Sequence, residues 1–230
     1  MRLTPDAFDA ILFDLDGTLI DTDDVAAVRL AERLRPLLGP ARAPRAARWL
    51  LMQAETPGNA LITALDLVGL DRPLMAFTDR LRRRRGLYPA HEFHLIPGVE
   101  EMLARLDGRY PLAIVTTRSR YHIEQFLAQF PHIAARVAAA CGLQDTWRLK
   151  PHPSPVRLAA QRLNLPPERC LMVGDTTMDV RAARRAGAWA IGVLCGFGQR
   201  RELERAGAHA VLDSTAHLAD FLADGAVNHR

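Results

Sequence analysis

The stretch Ala10-Ile11-Leu12-Phe13-Asp14-Leu15-Asp16-Gly17-Thr18 decides how the chain is read. Four apolar residues in a row, without the alternation of a half-exposed strand, suit a strand buried on both faces, as in a parallel sheet. The run stops at two carboxylates around one leucine, followed by glycine, which is turn chemistry. Similar apolar runs recur at Leu112–Val115, Val137–Ala140, Leu171–Val173, Ala190–Leu194 and Ala210–Leu212. Helical periodicity fills the intervals 99–107, 119–129, 154–164, 177–186, 199–206 and 215–223. Gly187 stands where it would end the helix carrying the stripe Val180/Ala183/Ala186. Alternating strand and helix predict an α/β fold with helices on both faces of a parallel sheet.

One long interval breaks this alternation. From Asp23 to Arg85 the pattern is helical, with stripes Val25/Val28/Ala31/Leu34/Leu38 and Leu61/Ala64/Leu65/Val68. Pro36, Gly39-Pro40, Pro44, Pro57-Gly58 and the segment Gly69 to Pro73 divide it into about four helices. The architecture expected is a Rossmann-like parallel-sheet core formed by residues 1–21 and 91–230. A small all-helical domain, residues 22–90, is inserted directly after the first strand.

Composition sets the outer limits. A chain of 230 residues, 49% apolar and 24% charged, is ordinary for a globular protein, which excludes a disordered tail, a collagen-like fibre and a disulfide-stapled miniature. Cys141, Cys170 and Cys195 stand far apart without a C-x-x-C, so neither a disulfide framework nor a thiolate zinc site is indicated. They read as small buried apolar residues of a reducing compartment. Asp6 and Asp9 ahead of a short apolar run are the wrong make-up for a signal peptide. The longest uncharged stretch, Ala186 to Gln199, is too short and Gly-rich for a bilayer span of ~20 residues. A cytoplasmic, soluble protein, monomer or homodimer, with no membrane partner is expected. Residues 1–21 carry a net charge of −4, residues 22–90 of +5 and residues 91–230 of +3. All but one of the thirty basic residues are Arg, which reads as codon bias; the exception is Lys150. The run Arg82-Arg83-Arg84-Arg85 lacks interleaved aromatics, so it reads as a solvated helix end and no nucleic-acid partner is expected.

In open α/β sheets ligands bind beyond the carboxyl ends of the strands. After the first strand come Asp14 and Asp16; after Leu112–Val115 come Thr116, Thr117, Arg118 and Ser119. After Leu171–Val173 come Gly174, Asp175, Thr176, Thr177, Met178 and Asp179, and Lys150 precedes the 154–164 helix. Four carboxylates, a hydroxyl pair and one ammonium therefore meet on one edge. Like charges so close repel and raise one another's pKa. A hard divalent cation resolves this, and carboxylates with a carbonyl and waters suit Mg²⁺. Asp179, one helical turn beyond Asp175, can support the same ion. Lys150 supplies a cation for an anionic substrate group that carboxylates alone would repel. Thr116 and turn N–H groups can cradle a phosphoryl oxygen. Each piece has a bland alternative, since a single Asp after a strand is commonly a turn or helix cap. Four of them, with the chain's one Lys, are more than caps require.

Asp14-Leu15-Asp16-Gly17-Thr18 after an apolar strand resembles motif one of the haloacid dehalogenase-like superfamily. Thr116 is similar to its motif two, Lys150 to its motif three, and Gly174–Asp179 to its motif four, in matching order from about residue 9 to 220. Motifs one and four are specific; two and three are weak alone. Lys150-Pro151-His152-Pro153, with Gly196-Phe197-Gly198, Ala206-Gly207-Ala208 and Asp213-Ser214, is similar to the phosphoglycolate phosphatase branch.

The resemblance implies a Mg²⁺-dependent phosphatase of a small phosphorylated metabolite such as phosphoglycolate. Asp14 would be the nucleophile, forming an aspartyl-phosphate, and Asp16 the acid and base. Gly17, Thr116, Thr117 and Lys150 would bind the phosphoryl group. Asp14, Asp16 through its carbonyl, Asp175 and Asp179 would serve the metal, and residues 22–90 would be a helical cap. A dehalogenase has no use for Asp16, and the insertion lacks the Lys of a phosphonoacetaldehyde hydrolase. A phosphosugar mutase or phosphotransferase stays open, as does a pyrophosphatase and, lower, a non-catalytic binding protein. Thr117-Arg118 stands where many relatives of the phosphoglycolate type have Asn and then Lys or another residue. Arg118 would either contact a second anionic group on the substrate or face solvent.

Overall fold

The computed structural model of the chain describes residues 5–21, 30–40, 42–43, 46–47 and 93–227. The chain divides into two compact units, one of Met1–Asp21 with Gly86–Arg230 and the other of Thr22–Arg85. In the second, residues 30–40 are helical through Pro36, which does not interrupt them as the sequence pattern suggests. Residues 42–43 and 46–47 are helical as well, and the remainder of this unit, with the run Arg82–Arg85, lies outside the described residues.

The first unit is a six-stranded sheet. Its strands are β1 (Ala10–Phe13), β4 (Leu112–Val115), β5 (Val137–Cys141), β6 (Cys170–Gly174), β7 (Trp189–Val193) and β8 (Ala210–Leu212). They are all parallel, in the order β5-β4-β1-β6-β7-β8. β1 lies at the centre, with Ile11 level with Leu112 on one side and Leu171 on the other. Successive strands run outward from β1 in both directions, so the topological switch point is at β1. The loops after β1, β4 and β6 therefore open side by side on the carboxyl edge, where this class of sheet binds its ligands.

All four β1 residues are buried, yet the pleat still sorts them. Ile11 and Phe13 join one core with Leu112, Ile114, Leu171 and Val173, covered by Val99–Leu106 and by Phe126 and Leu218. Ala10 and Leu12 join the other with Ala113, Val115 and Met172. That second face is small-residue-rich, and the helices Ser154–Arg162 and Thr177–Ala186 meet it with Ala159, Ala160, Ala182 and Ala183. Small side chains on both partners let these helices approach closely, which brings their first turns to the carboxyl edge.

Two short strands escape the sequence pattern. β2 (Ile20–Asp21) pairs antiparallel with β3 (His94–Leu95). Two residues are too few to express a period, and the pairing joins segments more than seventy residues apart. Cys141 and Cys170 are buried free thiols as expected, whereas Cys195 is half-buried, with Sγ 3.4 Å from both the Gly17 carbonyl and Thr215 Oγ1. Among the described residues no helix is long and apolar enough to cross a membrane.

Candidate active site

The turn after β1 is shaped by its apolar residues. Leu15 and Leu19 are buried, and the Leu15 carbonyl accepts from the N–H groups of Leu19 and Ile20 at 2.9 and 3.0 Å. Gly17 closes the turn at φ +65°, a left-handed conformation that costs other residues about 1–2 kcal/mol. Asp14 is left buried at the strand tip, its N–H bonded to the Val173 carbonyl of β6 at 2.9 Å.

β6 delivers the next two carboxylates. Asp175 follows it directly, and Thr176 caps the helix Thr177–Ala186 in a reciprocal box. The Asp179 N–H donates to Thr176 Oγ1, while Asp179 Oδ2 accepts from the Thr176 N–H at 3.1 Å and from its hydroxyl at 2.5 Å. A Cβ on Gly174 would overlap the Asp179 side chain, so the glycine before Asp175 makes room for it. Oxygens of Asp14, Asp175 and Asp179 lie within 4.8 Å of one another, and all three residues are buried.

Lys150 enters this group from the loop before the helix Ser154–Arg162. Its Nζ donates to Asp14 Oδ1 at 2.8 Å, to Asp179 Oδ1 at 2.5 Å and to the Val115 carbonyl at 3.0 Å. An ammonium has three protons, and each has an acceptor here. Burial works against its charge, but the Asp14 and Asp179 carboxylates outweigh that and raise its pKa above the usual lysine value. Burial raises Asp14 well above the ordinary carboxylate range; Lys150 opposes the rise, and Asp179, Asp175 and Asp16 add to it. Asp175 is pushed up to about 7 by burial and the Asp179 charge, against the Phe197 N–H and Lys150.

This electrostatic imbalance tests the expected metal. Three buried carboxylates face one ammonium, leaving a surplus of negative charge equal to that of one divalent cation. Hard oxygen donors at this spacing fit such an ion. Asp14 gives Lys150 one oxygen, Oδ1, and Asp175 Oδ1 accepts only a long bond of 3.5 Å from the Thr18 hydroxyl, so both keep carboxylate capacity toward it, while both Asp179 oxygens accept at 2.5 Å from Lys150 and Thr176.

The loop after β7 is the part that sequence reasoning left without a role. The Phe197 N–H donates to Asp175 Oδ2 at 2.7 Å. A Cβ on Gly17 or Gly196 would fall on the Asp175 carboxylate, and one on Gly198 on its main-chain oxygen. Two glycines around one residue, just after a strand, were the available sign of such a close backbone approach. Gly196→Ala should therefore shift Asp175 and lower kcat about 10–100-fold, the range seen when a partner that orients a site residue is lost. Steady-state kinetics checks this, and a wild-type kcat would remove the loop from the site.

The remaining expected residues fall as follows. Thr116 is buried at the β4 tip, where its hydroxyl accepts from the Arg118 N–H at 3.1 Å, and Thr117 is half-buried beside it. Asp16 is half-buried, and its carboxylate stands apart from the three clustered ones. Arg118 is half-buried, and its guanidinium is bound to Asp16, a pairing that the sequence pattern does not show.

A family model described as haloacid dehalogenase-like hydrolase matches residues 11–193. A phosphoglycolate phosphatase of Xanthomonas campestris is 32% identical, with 82% of this chain and 84% of that protein aligned. One from Haemophilus influenzae is 27% identical over 94% of this chain and 98% of its own. Among solved structures, CbbY from Rhodobacter sphaeroides in complex with xylulose-(1,5)bisphosphate is similar at a TM-score of 0.64. It is 27% identical and covers 92% of this chain and 96% of its own.

Proposed function

Because the chain belongs to the haloacid dehalogenase-like hydrolases, as a phosphatase of their phosphoglycolate phosphatase-like branch, we propose that it is a Mg²⁺-dependent hydrolase of a small phosphomonoester, with phosphoglycolate the first candidate. The observation that carries the reading is the buried group of Asp14, Asp175 and Asp179 held against Lys150 at the switch point of the sheet. Such a group is built to receive a cation and, beside it, a phosphoryl anion.

On this reading Asp14 attacks phosphorus in line and forms an aspartyl-phosphate, while the ester oxygen leaves with a proton from Asp16. Asp16 then takes a proton from the water that attacks the acyl phosphate, releasing phosphate and regenerating Asp14. Asp14, the Asp16 carbonyl and Asp175 hold the metal, which when bound offsets charge on the transferred group. Lys150 keeps its three protein acceptors and acts on the phosphoryl group through its charge, held in a dry setting where such charge is most effective. Gly17, Thr116 and Thr117 line the phosphoryl site. Substrate selection is assigned to the inserted residues 22–90.

Phosphate release is the direct test, with and without Mg²⁺, from an aryl phosphate, phosphoglycolate, pyrophosphate and hexose phosphates. Metal-dependent release with phosphoglycolate preferred is expected. Absence of release, together with bisphosphate-primed interconversion of sugar phosphates, would assign the chain to transfer instead.

In the folded, metal-free chain Asp175 keeps its proton to about pH 7, whereas in the unfolded chain it titrates at about 4. With the folded value raised, the stability it contributes is complete below about pH 4 and is lost as pH rises through about 7. The melting temperature without metal should thus fall between about pH 5 and pH 8, by ~5 °C or more. Mg²⁺ should restore it more at the higher pH, because there it does not compete with protons. Calorimetry in chelator and in Mg²⁺ checks this; equal metal effects at both pH values would count against it.

A further inference from the structure

Both oxygens of the Asp16 carboxylate are taken by one side chain. Arg118 Nε lies 2.7 Å from Oδ2 and its Nη2 2.6 Å from Oδ1, a two-pronged pair between residues 102 apart in the chain. The guanidinium is itself held: it lies over the ring of Phe93, 5.3 Å from the centroid. Phe93 is fixed in turn. It is buried, meets Phe126 edge-on at 5.7 Å, and exchanges main-chain hydrogen bonds with the Gln129 amide at 3.0 and 2.7 Å. The Arg118 N–H meanwhile donates to Thr116 Oγ1.

We propose that Arg118 is a positioning residue, orienting the Asp16 carboxylate for proton transfer. A carboxylate on two rotatable bonds samples several orientations, and proton transfer requires its oxygen within hydrogen-bond reach of the reacting atom. The planar fork of Arg fixes the plane of the carboxylate as well as its place, which a point-charge ammonium cannot do. Stacking on an aromatic ring removes the fork's own freedom. The main-chain N–H of the same residue holds the Thr116 hydroxyl beside it. A contact with a second substrate anion is the competing reading, and it differs in what it predicts for KM.

The proposal rests on Asp16 acting as acid and base under the function proposed above. Phosphoglycolate and an aryl phosphate are compared as substrates for wild type, Arg118→Ala, Arg118→Lys, Asp16→Asn and the double variant Asp16→Asn/Arg118→Ala. The aryl leaving group needs little protonation, so the first step of the Asp16→Asn proteins, read as kcat/KM, stays measurable with it, while hydrolysis of the intermediate still lacks its base. Arg118→Ala should lower kcat for phosphoglycolate about 10–100-fold, the range of an orienting partner, with KM within about threefold of wild type. Its kcat/KM should fall less for the aryl ester, and Arg118→Lys should recover part of the loss. In the Asp16→Asn background, adding Arg118→Ala should change the rate by less than about twofold, since the carboxylate it orients is gone.

Outcomes separate cleanly. If Asp16→Asn is as active as wild type, or wild type releases no phosphate, the underlying reading fails and the proposal with it. If Asp16→Asn is impaired but Arg118→Ala is not, or its loss is undiminished in the Asp16→Asn background, only the proposal is overturned. A raised KM with unchanged kcat assigns Arg118 to the substrate. Melting temperatures exclude unfolding, and should Arg118→Ala not fold, Arg118→Lys reads the same cycle.

Discussion

Asp14→Asn is expected to remove turnover, lowering kcat by about 10⁴-fold or more, as loss of a nucleophile does elsewhere, while the fold survives. The amide is almost the same shape but has no oxygen able to attack phosphorus, so what remains is the uncatalysed route through the rest of the site. Folding tolerates the change because Asp14 is one of three buried carboxylates crowded against one ammonium. Removing one negative charge relieves repulsion, and Lys150 keeps Asp179 at 2.5 Å and the Val115 carbonyl at 3.0 Å. The metal-free variant should therefore melt no lower than wild type. Phosphate release, acid-quench trapping of labelled phosphoprotein and a thermal scan together check this. A variant within about 100-fold of wild type, far above what such a loss allows, would assign the nucleophile elsewhere.

The second large effect is at Lys150. Lys150→Ala deletes the ammonium between Asp14 and Asp179, leaving buried carboxylates without their counter-charge and the Val115 carbonyl without a donor. Breaking a buried pair from one side costs about 3–5 kcal/mol, which for a domain of this size lowers the melting temperature by roughly 10 °C. The loss should shrink toward acid pH, where the orphaned carboxylates take up protons instead. Activity should fall about 10²–10³-fold, as on removing one preorganised electrostatic donor. Lys150→Arg should not restore it, since a planar fork cannot reach three acceptors arranged around a single nitrogen. Calorimetry and kinetics at two pH values decide; wild-type stability and rate in Lys150→Ala would take Lys150 out of the site.

Much of this site is legible in the amino-acid sequence. Continuous apolar runs announced buried parallel strands, and the runs at Ala10–Phe13, Leu112–Val115 and Ala210–Leu212 match the strands residue for residue. The helix Thr177–Ala186 was likewise marked by its own stripe and ended by Gly187. The tip positions of Asp14, Thr116 and Asp175 then followed from the general rule about carboxyl edges. What failed was short or remote. β2 and β3 have two residues each, too few for a pattern, and Pro36, whose residue type suggests a break, lies inside the helix of residues 30–40.

The amino-acid sequence alone determined the α/β class, the strand tips and the residue types placed there, because periodicity and turn chemistry are local properties carried within a few residues. Tertiary structure alone decided how those residues pair. Lys150 against Asp14 and Asp179, the Phe197 N–H on Asp175 and the Arg118 fork on Asp16 all join segments brought together by the strand order. No local propensity encodes a partner 102 residues away. Such pairs are chosen by where the sheet sets its loops and by the cost of leaving a buried charge alone.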